Sequence, residues 1–411
     1  MRIRPFRGYR FGIDRERDLS KVVAPPYDQI SPETQERLLA LSPWNIVRAS
    51  VPKDSAGDDK YRRAREVLDD WIAGGVWARE TRPVIYPYHQ TYRVGDAAVT
   101  RRGFVALGEV TAYGQGIVLP HERTHRGPKE DRLRLLEATG ADTGLLFMLV
   151  SDPDGVLIEA TRPAGEPVAE ARDLKGEWHR LWRITDEAAI ARVQGLMAPR
   201  PVIIADGHHR YETAVEYARR RSEAADKLMA FFALEAPGLT IFPNHRLVRD
   251  VAGFAFDRFL EGARRCFDVA PLADPMGFAP SNRRLGVVAG REARALALRD
   301  DAVGALPWPP DTSRAWRALA VSILHAGLLE PLLGITAEKL EAKAHVDYTA
   351  DRTEAVALAR AGRYQAAFLI APTTPAELQA VVRGGELLPQ KSTHFYPKLL
   401  DGLVFHRLGD A

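Results

Sequence analysis

Residues 201–218 constrain the fold of this chain most strongly. They read Pro-Val-Ile-Ile-Ala-Asp-Gly-His-His-Arg-Tyr-Glu-Thr-Ala-Val-Glu-Tyr-Ala. Val202, Ile203, Ile204 and Ala205 form an apolar run without polar alternation, which suits a strand buried on both faces. Asp206-Gly207 breaks the run as a turn dipeptide. A helical period follows, with Tyr211, Ala214, Val215 and Ala218 on one face. His208-His209-Arg210 therefore falls where a strand gives way to a helix. Backbone N–H groups and the positive end of the helix dipole gather at such a junction and attract anions. Arg210 adds a forked cation suited to phosphate, and Asp206 stands at the carboxyl end of the strand, where open α/β sheets hold ligands. The same residues also admit a plain reading, in which Asp206 caps the helix and the histidines are hydrogen-bonded surface groups.

Composition narrows the functional classes. With 411 residues, the chain can form two or three domains with a sizeable core. A net charge of +3, from 57 basic and 54 acidic residues, gives no support to a dedicated nucleic-acid binder. The single cysteine, Cys266, excludes an internal disulfide and any multi-cysteine zinc site, and its setting fits a small core residue. Residues 1–12 lack an apolar signal core and no stretch is long enough to span a bilayer, so the expected location is the cytoplasm.

Other stretches carry candidate chemistry. Val22-Val23 reads as the end of a strand, Pro25-Pro26 forces an extended path, and Asp28 follows at its tip. Asp28 is either a turn former or a catalytic carboxylate on a rigid loop. Ser31-Pro32-Glu33 signals a helix start over residues 33–41. A second helix is expected over 58–75, and strands over 84–93 and 102–111 form a plausible hairpin about Val-Gly-Asp-Ala. His121-Glu122-Arg123-Thr124-His125 matches the H-E-x-x-H pattern of zinc peptidases. Pro120 before it and Gly127-Pro128 after it leave room for about two helical turns at most, so the match reads as a coincidence within a charged loop. That loop also carries Arg126, Lys129 and Asp131, with a helix expected to start near Lys129. Residues 145–150 and 228–235 read as buried strands and 186–197 as a helix. His245 and Arg246 are expected to face the same crevice as Asp206.

From about residue 251 the pattern restarts as helix and strand in alternation, with an apolar helix expected over 314–329 and another over 375–383. The expected division is therefore a nucleotide-binding region over 1–250 and a second α/β region over 251–411. The tail segment 389–398 gathers Lys391, Ser392, Thr393 and His394, either as a connecting loop or as a phosphate contact returning to the site.

Val-Val-Ala-Pro-Pro-Tyr-Asp, Leu-Pro-His-Glu-Arg-Thr-His-Arg-Gly-Pro-Lys-Glu-Asp-Arg, Ile-Ala-Asp-Gly-His-His-Arg-Tyr-Glu-Thr-Ala, Phe-Pro-Asn-His-Arg-Leu-Val and Pro-Gln-Lys-Ser-Thr-His-Phe-Tyr-Pro-Lys occur in that order. Together they resemble the bacterial and archaeal domain of unknown function 1015 family, over residues 2 to about 407. The Asp-Gly-His-His-Arg core is also similar to the ParB/sulfiredoxin-like free serine kinases, which phosphorylate free L-serine with a nucleoside phosphate and magnesium. The resemblance implies a mixed-sheet α/β fold with a ParB/sulfiredoxin-like core and cofactors ATP or ADP and Mg2+. By position, Asp206 matches the kinases' catalytic or metal-linked Asp. Gly207, His208, His209 and Arg210 match their phosphate-binding turn.

The expectation is a small-molecule kinase acting on a free amino-acid hydroxyl, most naturally L-serine, because phosphoryl transfer mainly needs positioning and charge neutralisation. Asp206 and His209 are the expected catalytic groups, with Asp28 or Glu122 as base. Arg123, Thr124, Lys129, Lys391, Ser392 and Thr393 join the 207–210 turn as expected nucleotide contacts. The rival readings are a ParB-like nucleotide-binding regulatory protein and, further off, a zinc hydrolase. No membrane partner is expected, and nucleic acid is disfavoured.

Overall fold

The computed structural model describes residues 1–12, 15–54, 57–124, 126–221, 225–342 and 344–409. His125 of the H-E-x-x-H pattern lies outside the described residues. By their contacts the residues form two compact units, one of 1–120, 124–240 and 397–411, the other of 121–123 and 241–396.

Among the described residues the first unit contains a nine-stranded mixed sheet. Its strands are β1 (Ile3–Arg4), β2 (Tyr86–Val94), β3 (Ala97–Glu109), β4 (Val118–Leu119), β5 (Leu146–Val150), β6 (Ala169–Arg172), β7 (Trp178–Leu181), β8 (Val202–Asp206) and β9 (Asp226–Ala233). Their order is β4-β8-β5-β9-β3-β2-β7-β6, with β1 paired to β3. β8 runs parallel to β4 and antiparallel to β5, while β5 runs parallel to β9. The β2–β3 hairpin expected about Val-Gly-Asp-Ala is present, its second strand starting at Ala97 rather than 102 and ending at Glu109 rather than 111. β5 and β9 are nearly continuous apolar runs because both of their faces are covered.

The helices of this unit include α1 (Pro32–Leu41), α2 (Arg126–Thr139), α3 (Glu187–Met197) and α4 (His208–Ala218). Ser31 caps α1 by accepting from Thr34 N–H, and Asp186 caps α3 by accepting from Ala189 N–H, so these helices start where their capping residues required. α2 begins at Arg126, three residues before the expected start. One side of the sheet packs Phe104, Met148, Ile204 and Phe231 with Val193 and Met197 of α3 and Tyr211 of α4. Val22-Val23, expected to end a strand, instead follows a single 3-10 turn over Leu19–Lys21. Both valines are buried, and the neighbouring Ala24 exchanges backbone hydrogen bonds with Asp401.

The second unit contains a six-stranded antiparallel sheet in the order Phe267–Pro271, Glu292–Leu298, Arg284–Ala289, Ala366–Leu369, His245–Val248, Val346–Thr349. Helix Pro375–Arg383 starts on a full capping box between Thr374 and Glu377. The continuous helix expected over 314–329 is broken. Arg314–Arg317 and Ala320–Leu324 are separate helical pieces, and His325–Leu329 forms a π turn closed by the Glu330 N–H on His325 O. Among the described residues no helix is long and apolar enough to cross a membrane.

Candidate functional site

The site is built at the β8–α4 junction of the first unit. The register of β8 against β5 shifts between Ile204 and Asp206, and a bulge of this kind re-aims the side chain at the strand's end. Gly207 follows with φ +99°. A Cβ there would come within 2.6 Å of Leu146 Cδ2, so both the backbone angle and the packing demand glycine. Gly207 is the N-cap residue of α4 and has no side chain with which to cap it, and Tyr211 N–H donates to Gly207 O. The helix therefore opens with its backbone donors beside Asp206.

Asp206 is half-buried. Its Oδ1 accepts from Gly207 N–H at 3.0 Å, and its Oδ2 accepts from Lys398 Nζ at 3.3 Å. Burial pushes the carboxyl pKa up, but Lys398, Arg210 and His208 together overcome that and hold it well below the usual carboxylate range. Arg210 Nη1 donates to Leu145 O at 2.9 Å, while its Nε has no hydrogen-bond partner among the described residues. Burial works against the guanidinium charge, and Asp401, Asp206 and Asp28 outweigh it, so the pKa is raised. His208 is buried. His209 is half-buried, and its carbonyl accepts from Thr213 Oγ1 at 2.7 Å.

Asp401 is 4% exposed, and its Oδ1 has no hydrogen-bond partner among the described residues. Burial raises its pKa to about 7. Arg210 and Arg132 oppose the shift, while Asp28 and Asp206 reinforce it. Gly144 is closely flanked: a Cβ on it would stand 2.7 Å from Asp401 Oδ1 and 2.8 Å from Arg210 Nη1. Beside these groups, Lys227 hydrogen-bonds to Asp142, and burial lowers its ammonium to about 7 against the pull of Asp401. Tyr27, Arg132, Arg210, Lys227 and Asp401 help to enclose a cavity of about 40 Å³, enough for a few waters.

The remaining candidates divide between the two units. Asp28 is exposed on the Tyr27–Gln29 turn, and its charge acts on Tyr27, Arg210 and Asp401. Thr124 Oγ1 and Lys129 Nζ both donate to Glu212 Oε2 of α4, at 2.8 and 2.7 Å. In the second unit, Glu122 Oε1 accepts from Lys391 N–H at 3.3 Å, and Arg123 lies 3.9 Å from Glu341. Ser392 is buried and donates its hydroxyl to Pro389 O. Thr393 Oγ1 is 2.9 Å from His121 Nε2. His245 and Arg246 are buried within the second unit rather than lining a crevice, because their strand is covered on both faces.

The zinc-peptidase pattern is not formed as such a site requires. His121 and Glu122 precede α2 rather than lying on a helix. Among the described residues no three His, Cys, Asp or Glu side chains cluster to hold a metal.

Sequence reasoning missed Lys398, Asp401, Arg132, Asp142 and Lys227. Lys398 and Asp401 bracket Leu399-Leu400, and Asp401-Gly402 repeats the turn dipeptide of Asp206-Gly207. That repeat was the available signal.

Comparisons with known proteins add the following. The model of the family described as "Protein of unknown function (DUF1015)" matches residues 3–322. No curated protein matches the chain. Among solved structures, a conserved hypothetical protein from Pyrococcus furiosus aligns at 12% identity and a TM-score of 0.35, covering 71% of this chain and 90% of its own. A free serine kinase in complex with AMP aligns at 12% identity and 0.37, covering 71% and 86%. SbnI with a C-terminal truncation, from Staphylococcus aureus, aligns at 12% and 0.37, covering 72% and 85%.

Proposed function

The chain belongs to the DUF1015 family, and we propose that it is a nucleotide-dependent phosphotransferase acting on the hydroxyl of a free amino acid, L-serine first among them. One observation carries this reading. The glycine-led N-terminus of α4 stands beside a carboxylate kept ionised by Lys398 and Arg210. That arrangement offers backbone donors, two cations and a hard oxygen ligand at one point, which are the parts phosphoryl transfer needs. The Asp-Gly-His-His-Arg sequence supports the same reading through its resemblance to the free serine kinases.

In this reading the 207–210 backbone and the Arg210 guanidinium hold the phosphates of ATP or ADP. Lys398 neutralises charge developing on the transferred group. Asp206 would be the protein carboxylate that holds a nucleotide-bound Mg2+, an ion that takes few protein ligands. The metal would draw charge from the phosphate oxygens. Asp28 takes the proton as the acceptor oxygen bonds to phosphorus and the nucleotide leaves with the bridging oxygen. Asp28 is exposed and acts electrostatically on Arg210 within the same unit.

The test is to incubate the protein with labelled ATP or ADP, magnesium and a pool of amino acids. The expected result is O-phosphoserine from the parent protein. Asp206→Asn is expected to yield none while still binding nucleotide. Nucleotide binding by the parent protein without any phosphorylated amino acid would instead favour a ParB-like regulatory role.

A further inference from the structure

The second unit holds a cavity of about 510 Å³ that the phosphotransferase reading does not use. Its volume falls within the range of small-molecule sites, and its walls are mainly apolar. Ile335, Leu340 and Leu388 form buried parts of the wall. Half-buried Trp316 also lines the cavity, its ring held by donation from Nε1 to Leu387 O at 3.1 Å.

The wall also contains two backbone irregularities. The π turn over His325–Leu329 brings His325 and Ala326 to the lining, and such turns concentrate at functional sites. Asp311, at the lining, holds φ +60°, an uncommon conformation for a residue other than glycine.

The charges in the lining are one-sided. Glu386, Glu330, Glu341 and Asp311 face one cation, Arg123, which is itself 3.9 Å from Glu341. Glu386 Oε1 accepts from Ser313 N–H at 2.9 Å, whereas its Oε2 is buried with no partner among the described residues. His325 Nε2 is likewise buried without one. Burial, with Arg246 second, keeps the His325 ring neutral, so it adds no positive charge. An apolar cavity with acidic charge in excess favours a cation carrying an apolar body, and a flat ring against Trp316 gains stacking and cation–π energy.

We propose that this cavity is a binding site for a small molecule that joins a flat apolar body to a protonated amine. The amine is recognised by Glu386 and the rim carboxylates, and the body by Trp316 and Leu340. The site lies within the second unit, so its test is independent of the phosphotransferase reading.

Isothermal titration of the full chain with tryptamine, indole-3-acetate and 3-methylindole tests it. Tryptamine is expected to bind one to one and about tenfold or more tighter than indole-3-acetate, because charge sign decides the difference. Glu386→Gln is expected to weaken tryptamine about tenfold while leaving 3-methylindole within about twofold. The exposed-rim double variant Glu330→Gln, Glu341→Gln provides a second reading without touching the buried wall, and is expected to weaken tryptamine alone. Equal binding of the carboxylate, indifference of tryptamine to both variants, or no binding of tryptamine at about 1 mM overturns the proposal.

Discussion

Lys398 Nζ lies 3.3 Å from Asp206 Oδ2, although 192 positions separate the two residues. The contact joins the end of β8 to the last segment of the same unit, and it keeps the carboxylate charged despite its burial. Both side chains are about one-fifth exposed, so the pair remains reachable from solvent.

Lys398→Met is therefore expected to raise the Asp206 pKa towards its ordinary value, read by carboxyl NMR titration. Phosphoserine formation is expected to fall about 100-fold, the usual loss when one preorganised charge is removed from a transition state. Unchanged turnover would exclude Lys398 from the reaction.

Gly207→Ala places a Cβ against Leu146 at a positive φ. The expected destabilisation is about 2 kcal/mol, read as a lower urea midpoint with an unchanged slope. The same substitution at Gly95, a positive-φ turn with open space around it, carries no clash and is expected to be milder.

Asp401 predicts a pH dependence of stability. Its folded pKa, about 7, is above the unfolded carboxylate value, so between about pH 4 and 7 the folded state holds a proton that the unfolded chain releases. Stability from this group is complete below about pH 4 and is lost as pH rises through 7. The expected loss is about 2–4 kcal/mol, and Asp401→Asn should flatten it. Urea unfolding at a series of pH values checks both the sign and the residue.

Arg101 is 1% exposed, sits over Phe147 and Phe232, and donates to Gln90 Oε1 and Pro397 O. Arg101→Leu removes the donor that holds the chain just before Lys398. Amide exchange over residues 398–401 is expected to accelerate, with a stability loss of about 3 kcal/mol from the broken buried network. Unchanged protection there would mean other contacts hold the segment.

Glu212 holds the two side chains expected to contact phosphate, Thr124 and Lys129. Glu212→Gln is expected to release the Lys129 ammonium and tighten ADP binding about threefold, measured by titration at low salt.

Local features of the fold were legible in the sequence because local chemistry decided them. The apolar run at 202–205, the Ser31 and Asp186 caps and the capping box at Thr374 each specify an element through neighbouring residues. Long-range features were not legible. Val22-Val23 is apolar enough for a strand, but its neighbour Ala24 finds its backbone partner at Asp401, far along the chain. The helix expected over 314–329 has the right periodicity, and nothing in that periodicity reveals the wider turn at His325. At the candidate site, Asp206, Gly207 and Arg210 announced themselves by density, whereas Lys398 and Asp401 are brought in by tertiary pairing, with only the Asp401-Gly402 dipeptide as a local mark.

The first unit takes its residues from both sides of an interruption of about 156 residues, 241–396. Ribosomes add about 5–20 residues per second, so roughly 10–30 s pass between the emergence of Asp206's half and that of Lys398. During synthesis Arg210 and Asp206 must wait that long for the ammonium and the carboxyl group that complete their surroundings. A nascent chain halted anywhere in the interruption carries the Asp206-Gly207 turn without Lys398 and Asp401, which makes the finished site a record that translation has passed residue 401.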